Sequence, residues 1–191
     1  MQTSEPAEYI ILGLLKKHPM HGYEMFQQIG NSALSQILHL EMSQMYAYLK
    51  KLEKLEYIET RLEAQGSRPP RKVHHLTSIG DDAFMRWLTM PVEKPRDIRI
   101  LFLIKLYFIR QLLPGNVRTL IAQQIIACQQ FLEGMEKAYT FRIQHEDEHG
   151  KHGEHGERDD EIFFNHIVLR SRIHQTRSLL DWLQELSVGA S

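Results

Sequence analysis

Between Ser43 and Thr77 the sequence changes its apolar period once, and that change restricts the fold more than any other feature. In "SQMYAYLKKLEKLE" (43–56), Met45, Leu49, Leu52 and Leu55 recur at helical spacing on one face. "YIETRL" then alternates, "RKVHHLT" suits a strand, and the turn-rich "EAQGSRPP" lies between them. The stretch 57–77 therefore predicts a β-hairpin directly after a helix that begins at the cap Ser43. Thr77 caps the next helix, 78–90, which Pro91 ends.

Upstream, Ser4 is the expected cap of a first helix with Pro6 in its first turn. That helix runs to about Lys17, because the residue before Pro19 avoids the α region. "YIILGLL" (9–15) is apolar on every side, which suits a helix wedged between partners. "HGYEMFQQI" (21–29) is a second helix, and 31–42 is mixed. Three helices with a hairpin after the third predict a winged helix-turn-helix.

After Pro95 the pattern is purely helical. "DIRILFLIKLYFIRQLL" (97–113) stops at Pro114. Apolar residues recur at Val117, Leu120, Ile121, Ile125, Cys128, Phe131, Leu132 and Met135, and again at Ile162, Leu169, Ile173, Leu180 and Leu183. Two long helices with coiled-coil-like stripes follow, folded back on each other as a hairpin. The expected fold is mainly α with a small β-hairpin: a winged domain over 1–93, and a helical dimerisation domain over 97–191 with a polar hinge at 144–160.

That hinge contains "HEDEHGKHGEH" (145–155), in which His145, Glu146 and His149 spell the H-E-x-x-H of a zinc protease. A catalytic zinc site needs its ligands held in a packed body. Gly150, Gly153 and Gly156 follow, and apart from them 144–160 is entirely polar or charged. The composition is that of a solvated linker, so no catalytic residue, cofactor or resident metal is expected. Nowhere else does a nucleophile–base spacing or a Gly-rich phosphate loop stand out.

Composition removes other classes. One cysteine, Cys128, leaves no internal disulfide, which suits a reducing compartment. The N-terminal segment lacks the basic flank and apolar run of a signal peptide, and the longest apolar runs are too short for a bilayer. A cytoplasmic chain without membrane contact is expected. The net charge of −1 gives no global pull toward nucleic acid. A local positive surface suffices, however, because charge is screened beyond about 10 Å at ~0.1 M salt.

Such a surface is available. Opposite the apolar stripe of helix 43–56 lie Gln44, Ala47, Lys51 and Lys54, with Ser43 and Lys50 on the edges. Small and polar side chains at the start and lysines further along fit a major-groove recognition helix, in which Gln44 would pair with adenine and the lysines with phosphates. The same pattern also describes a solvated amphipathic helix. Arg68, Arg71 and Lys72 flank Pro69-Pro70 with no acidic residue between Gln65 and His75, and this favours the nucleic-acid reading.

The stretches "ILGLLKKHPMHGYEM" (11–25), "SQMYAYLKKLEKLEYIE" (43–59), "RPPRKVHHLTSIG" (68–80) followed by "WL" (87–88), and "LFLIKLYF" (101–108) resemble the PadR-like transcriptional regulators. The C-terminal part resembles the longer branch of that family, with a virulence-activator-like α-helical domain. The resemblance implies a cytoplasmic homodimer that binds a palindromic double-stranded DNA operator, usually as a repressor, and a C-terminal region that can sense a small-molecule effector. It also implies that Tyr46 orients the recognition helix and touches a phosphate; the alternative is a core or domain-boundary tyrosine. Two positions depart from the pattern. Glu56 stands where the family usually has glycine, so it must either adopt the left-handed conformation at ~1 kcal/mol or end the helix differently. The family also usually has a tyrosine near His74, before "LT". His74 and His75 either titrate against DNA or sit as satisfied strand histidines.

The all-round apolar first helix and the long stripes favour a dimer, with recognition helices about 34 Å apart. The alternative is that each helical hairpin covers only its own subunit. The rival function is a winged-helix adaptor that binds proteins instead of DNA. An effector is expected to act by altering the angle between helix 97–113 and the winged domain.

Overall fold

The structure is a computed structural model. It describes the backbone of residues 5–65, 68–149 and 157–189, and their side chains except at 65, 68–69, 142–149 and 157–162. The element order is α1 (Pro6–Lys17), α2 (Gly22–Gly30), α3 (Leu34–Ile37), α4 (Met42–Lys54), β1 (Ile58–Gln65), β2 (Arg68–Leu76), α5 (Ser78–Thr89), α6 (Pro95–Leu112), a 3-10 turn (Pro114–Asn116), α7 (Val117–His149) and α8 (Glu157–Gly189). The chain is mainly helical with one hairpin, a winged helix-turn-helix followed by a helical region.

α1 starts with Pro6 in its first turn, and its backbone turns extended at His18, ahead of Pro19. Every residue from Ala7 to Leu15 is buried, as a helix apolar on all sides requires. Ser4, the expected cap, lies outside the described residues. The hairpin pairs antiparallel from Ile58↔Leu76 to Gln65↔Arg68, with an irregularity between Glu63 and Gln65. Just past Pro19, Met20 bridges to His74 through two backbone hydrogen bonds of 2.9 and 3.2 Å, so the α1–α2 link lies along the free edge of β2. The Thr77 hydroxyl accepts from the Gly80 N–H at 3.0 Å, as expected of a cap, and donates to the Glu56 carbonyl at 2.7 Å. One side chain thus starts α5 and ties it to the end of the α4 turn.

The chain divides into two compact units. The first runs to Met90 and takes in 96–117; the second comprises Pro91–Pro95 and everything from Arg118. α6 therefore packs with the winged elements, whereas the sequence reading grouped 97–113 with the C-terminal region. Gly13 explains the difference. A Cβ there would stand 2.5 Å from the Phe108 ring, so α1 and α6 are packed more closely than any larger residue allows. Tyr9 stacks on Trp87 of α5 at 3.9 Å, and Phe84 meets Phe108 edge-on at 5.6 Å. Tyr9, Phe84, Phe102 and Phe108 are core side chains, Trp87 is partly exposed, and Met90 is exposed.

In the second unit α7 and α8 run antiparallel, with Arg177 paired to Glu136 at 2.6 Å and Tyr139 against His166. Leu120, Ile121, Cys128, Met135, Ile173 and Leu183 are buried along the expected stripes. The buried Gln124 amide both accepts from the Val92 N–H and donates to its carbonyl, anchoring the Pro91–Pro95 segment. The expected hinge is shorter than 144–160: α7 continues to His149 and α8 resumes at Glu157. Glu, Gln, Arg and His propagate an existing helix at little cost even where they bury nothing. His145–His149 continue the α7 backbone, and the rest of the histidine motif, 150–155, lies outside the described residues.

Candidate nucleic-acid interface

α4 buries Met45, Leu49 and Leu52, leaving at most 2% of each exposed. At 3.6 residues per turn, Ala47 and Lys54 then project opposite that stripe. Ser43, Gln44, Tyr46, Ala47, Lys50, Lys51 and Lys54 are all exposed. The helix begins one residue before Ser43, so Ser43 is in the first turn and is not the cap. The cap is Glu41, whose N–H donates to Gln44 Oε1 at 3.0 Å while its carboxylate accepts from the Gln44 N–H. This capping box satisfies two helix-end donors at once. It also engages the Gln44 side-chain oxygen, so pairing with adenine would require that amide to leave the cap.

Lys51 does not stand free on the outward face. Its Nζ lies 2.5 Å from Oε1 of Glu8, a fully buried α1 residue. The hydrogen bond to Glu8 holds the Lys51 pKa above its ordinary value. The expected helical phase holds, but Lys51 stands at the edge that meets α1, and its long stem reaches inward. The outward centre is therefore Ser43, Ala47 and Lys54, flanked by Lys50.

The far end of α4 settles the Glu56 alternative. Glu56 adopts the left-handed conformation, φ 59°. The Tyr57 N–H donates to the Leu52 carbonyl and the Glu56 N–H to that of Glu53, a Schellman termination that sets where the hairpin departs.

Tyr46 is half exposed, so it is not a core tyrosine. Its ring packs against α2, where a Cβ at Gly22 would come within 3.0 Å of it. Tyr23, Tyr46, Lys50, Arg71, Lys72 and His21 line a cleft between α2, α4 and the hairpin. The exposed Arg71 and Lys72 stand on β2. Arg68 occupies the start of that strand, and its side chain lies outside the described residues. His74 is a satisfied strand histidine. It is buried, its Nδ1 lies 3.0 Å from the Thr60 hydroxyl, and desolvation lowers its pKa. His75 lies 3.8 Å from a Glu63 carboxylate oxygen.

Three features escaped the sequence reading. Glu8 interrupts the apolar "AEYIILGLL", and Lys105 interrupts "ILFLIKLYF"; a lone charge in an apolar run was the available signal. Lys105 is 2% exposed, its Nζ donates to the Trp87 and Met90 carbonyls, and it sits 4.1 Å above the Trp87 ring. The third is Tyr23, more than half exposed beside Tyr46; the Tyr23 hydroxyl accepts from the Gln27 amide. Among the described residues no cluster of three or more His, Cys, Asp or Glu could hold a metal ion. Cys128 is buried, and desolvation raises its pKa. No described helix is long and apolar enough to cross a membrane.

Comparison with known proteins assigns the chain to a family. The profile of the transcriptional regulator PadR-like family matches residues 11–86, and that of the virulence activator alpha C-terminal region matches 98–187. The chain is 26% identical over 179 residues to the negative transcriptional regulator PadR of Bacillus subtilis (strain 168), covering 94% of each chain. Among solved structures, B. subtilis PadR in complex with operator DNA is 24% identical, with 98% of this chain and 99% of that one covered and a TM-score of 0.46. The smu.1704 protein of Streptococcus mutans UA159 is 34% identical over 41% of this chain and 69% of its own, with a TM-score of 0.36. The chain belongs to the PadR-like family of transcriptional regulators, with a C-terminal region of the virulence-activator type, and is a regulator rather than an enzyme.

Proposed function

We propose that the chain is a cytoplasmic homodimeric repressor that binds a two-fold-symmetric DNA operator through α4 and the hairpin. The observation that carries this reading is the continuity of Ser43, Ala47, Lys50 and Lys54 on α4 with Tyr46, Arg71 and Lys72 around one cleft. Small side chains near the helix start allow close approach to base edges, and the cations around them meet phosphates. Repression is supported by the negative-regulator relative, which matches along nearly its full length. Dimerisation is supported by aromatic side chains left exposed on α7 and α8. A small-molecule effector would act through α6, which is built into the winged unit and leads directly to the second.

The test is Lys54→Ala with Arg71→Ala and Lys72→Ala, measured on a duplex selected from fragmented genomic DNA by the wild-type chain. The three substitutions should weaken binding to all sequences. They should also lower the slope of log affinity against log salt by about 0.9 for each phosphate no longer neutralised. An unchanged slope would remove these three residues from the phosphate contacts, and no DNA binding by the wild-type chain would replace this reading with a protein-binding adaptor.

A further inference from the structure

Glu8 is the only carboxylate among the fully buried residues of α1, in a stretch where every neighbour from Ala7 to Leu15 is buried too. Its Oε1 faces the Lys51 ammonium at 2.5 Å as an ion pair, and neither carboxylate oxygen has a hydrogen-bond partner of good geometry. A buried carboxylate with a single partner is costly, and an apolar residue would pack the site more cheaply. Its one partner is on the helix whose opposite face forms the candidate DNA surface.

The other buried α4 side chains, Met45, Leu49 and Leu52, are apolar, and their burial is not in itself directional. An ion pair to a fixed, buried oxygen is directional. We propose that Glu8 is a positioning residue for DNA recognition, which through Lys51 fixes the rotation of α4 so that Ser43, Ala47, Lys50 and Lys54 face the duplex. Lys51 then serves the protein and not the phosphate backbone, and its charge is already answered before DNA arrives. The inference rests on the DNA-binding reading above and assigns Lys51 a different role within it.

The rival, in which Lys51 binds a phosphate, makes opposite predictions. The full-length chain carrying Glu8→Gln, Lys51→Met or both is titrated with the selected duplex and with a scrambled duplex, over a range of salt. If Glu8 positions α4, each single variant lowers affinity for the selected duplex by about three- to tenfold, and the double variant loses no more than the worse single. The scrambled duplex is bound as before, so discrimination falls while the salt slope stays unchanged. If Lys51 binds phosphate, Glu8→Gln frees it. Affinity for both duplexes then rises, and Lys51→Met lowers the slope by about 0.9, the value of one phosphate left unneutralised. That result overturns the inference and leaves the DNA-binding reading standing.

Thermal melting checks that the variants fold; Glu8→Gln, which removes the buried charge and leaves only the half-exposed Lys51 unpaired, is the substitution least able to prevent folding. A lower melting temperature with discrimination unchanged at 25 °C would make Glu8 merely structural and would also overturn the proposal. No DNA binding by the wild-type chain would instead remove the reading on which it rests.

Discussion

Glu56 shows how a single residue can cost stability without any steric clash between side chains. It is the only non-glycine with positive φ among the described residues, and its backbone completes the termination of α4. An L side chain in that conformation costs about 1–2 kcal/mol, part of which glycine returns as extra freedom in the unfolded chain. Glu56→Gly should therefore stabilise the first unit by ~1 kcal/mol, raising the urea midpoint without changing the slope. Trp87 fluorescence in a Trp182→Phe background isolates that unit; an unchanged or lower midpoint would show that the Glu56 side chain contributes more than the strain removes. This position was legible in the sequence, because a left-handed cap is a local matter of one residue's φ. Lys51 was not. Helical period places it near the outward face, but which neighbour a long stem reaches depends on α1, which is remote in sequence. The capping contact of Gln44 was not legible for a related reason: its partner is Glu41, upstream of Ser43, where the sequence pattern places the cap.

At the scale of elements, the hairpin and every helix of the winged unit except α3, which lies in the stretch read as mixed, followed from period and punctuation, with helix ends displaced by one or two residues and strand ends by up to three. The assignment of α6 to that unit did not, because it depends on the Gly13–Phe108 approach and on Lys105, both long-range. Lys105 supplies the end of α5 with donors for its last carbonyls, from a neighbouring helix instead of from the chain itself. Burial pushes its amine down to about 7. The carbonyls and the Trp87 face favour the ammonium, and so limit the shift. The unfolded amine keeps its proton up to an ordinary value near 10.5, so between these values the unfolded chain binds more protons than the native one. Stability contributed by this residue should rise with pH across that window, at no more than about 1.4 kcal/mol per pH unit, and be flat below it. The expected observation is that wild type gains on Lys105→Met between pH 7 and pH 10, in unfolding followed through Trp87. Parallel pH profiles for the two proteins would rule out a depressed amine.

For the whole molecule, the question is what covers the second unit. Its two helices bury one stripe against each other, yet Phe163 and Phe164 remain 66% and 63% exposed, with Phe131, Phe141 and Ile167 also on the surface. The sequence stripes match the buried seam at Leu120, Ile121, Cys128, Met135, Ile173 and Leu183, but they also place on it Phe131, which is exposed, and they are too sparse to show that α7 and α8 carry further aromatics away from it. Paired aromatics in water, each able to bury about 150–250 Å², are better explained by a second copy of this chain than by solvent. The proposed function needs that second copy, since one α4 reads only half of a two-fold operator. Phe163→Ser with Phe164→Ser should move the chain from dimer to monomer in sedimentation equilibrium. It should also cut affinity for the selected duplex by about a hundredfold or more at nanomolar protein, because the second half-site is no longer bound by a linked subunit. Melting of the winged unit should be unaffected, because none of its core side chains is altered. A variant that keeps both the dimeric mass and the affinity would locate the dimer elsewhere, most directly on the exposed α7 residues Ile126 and Phe131.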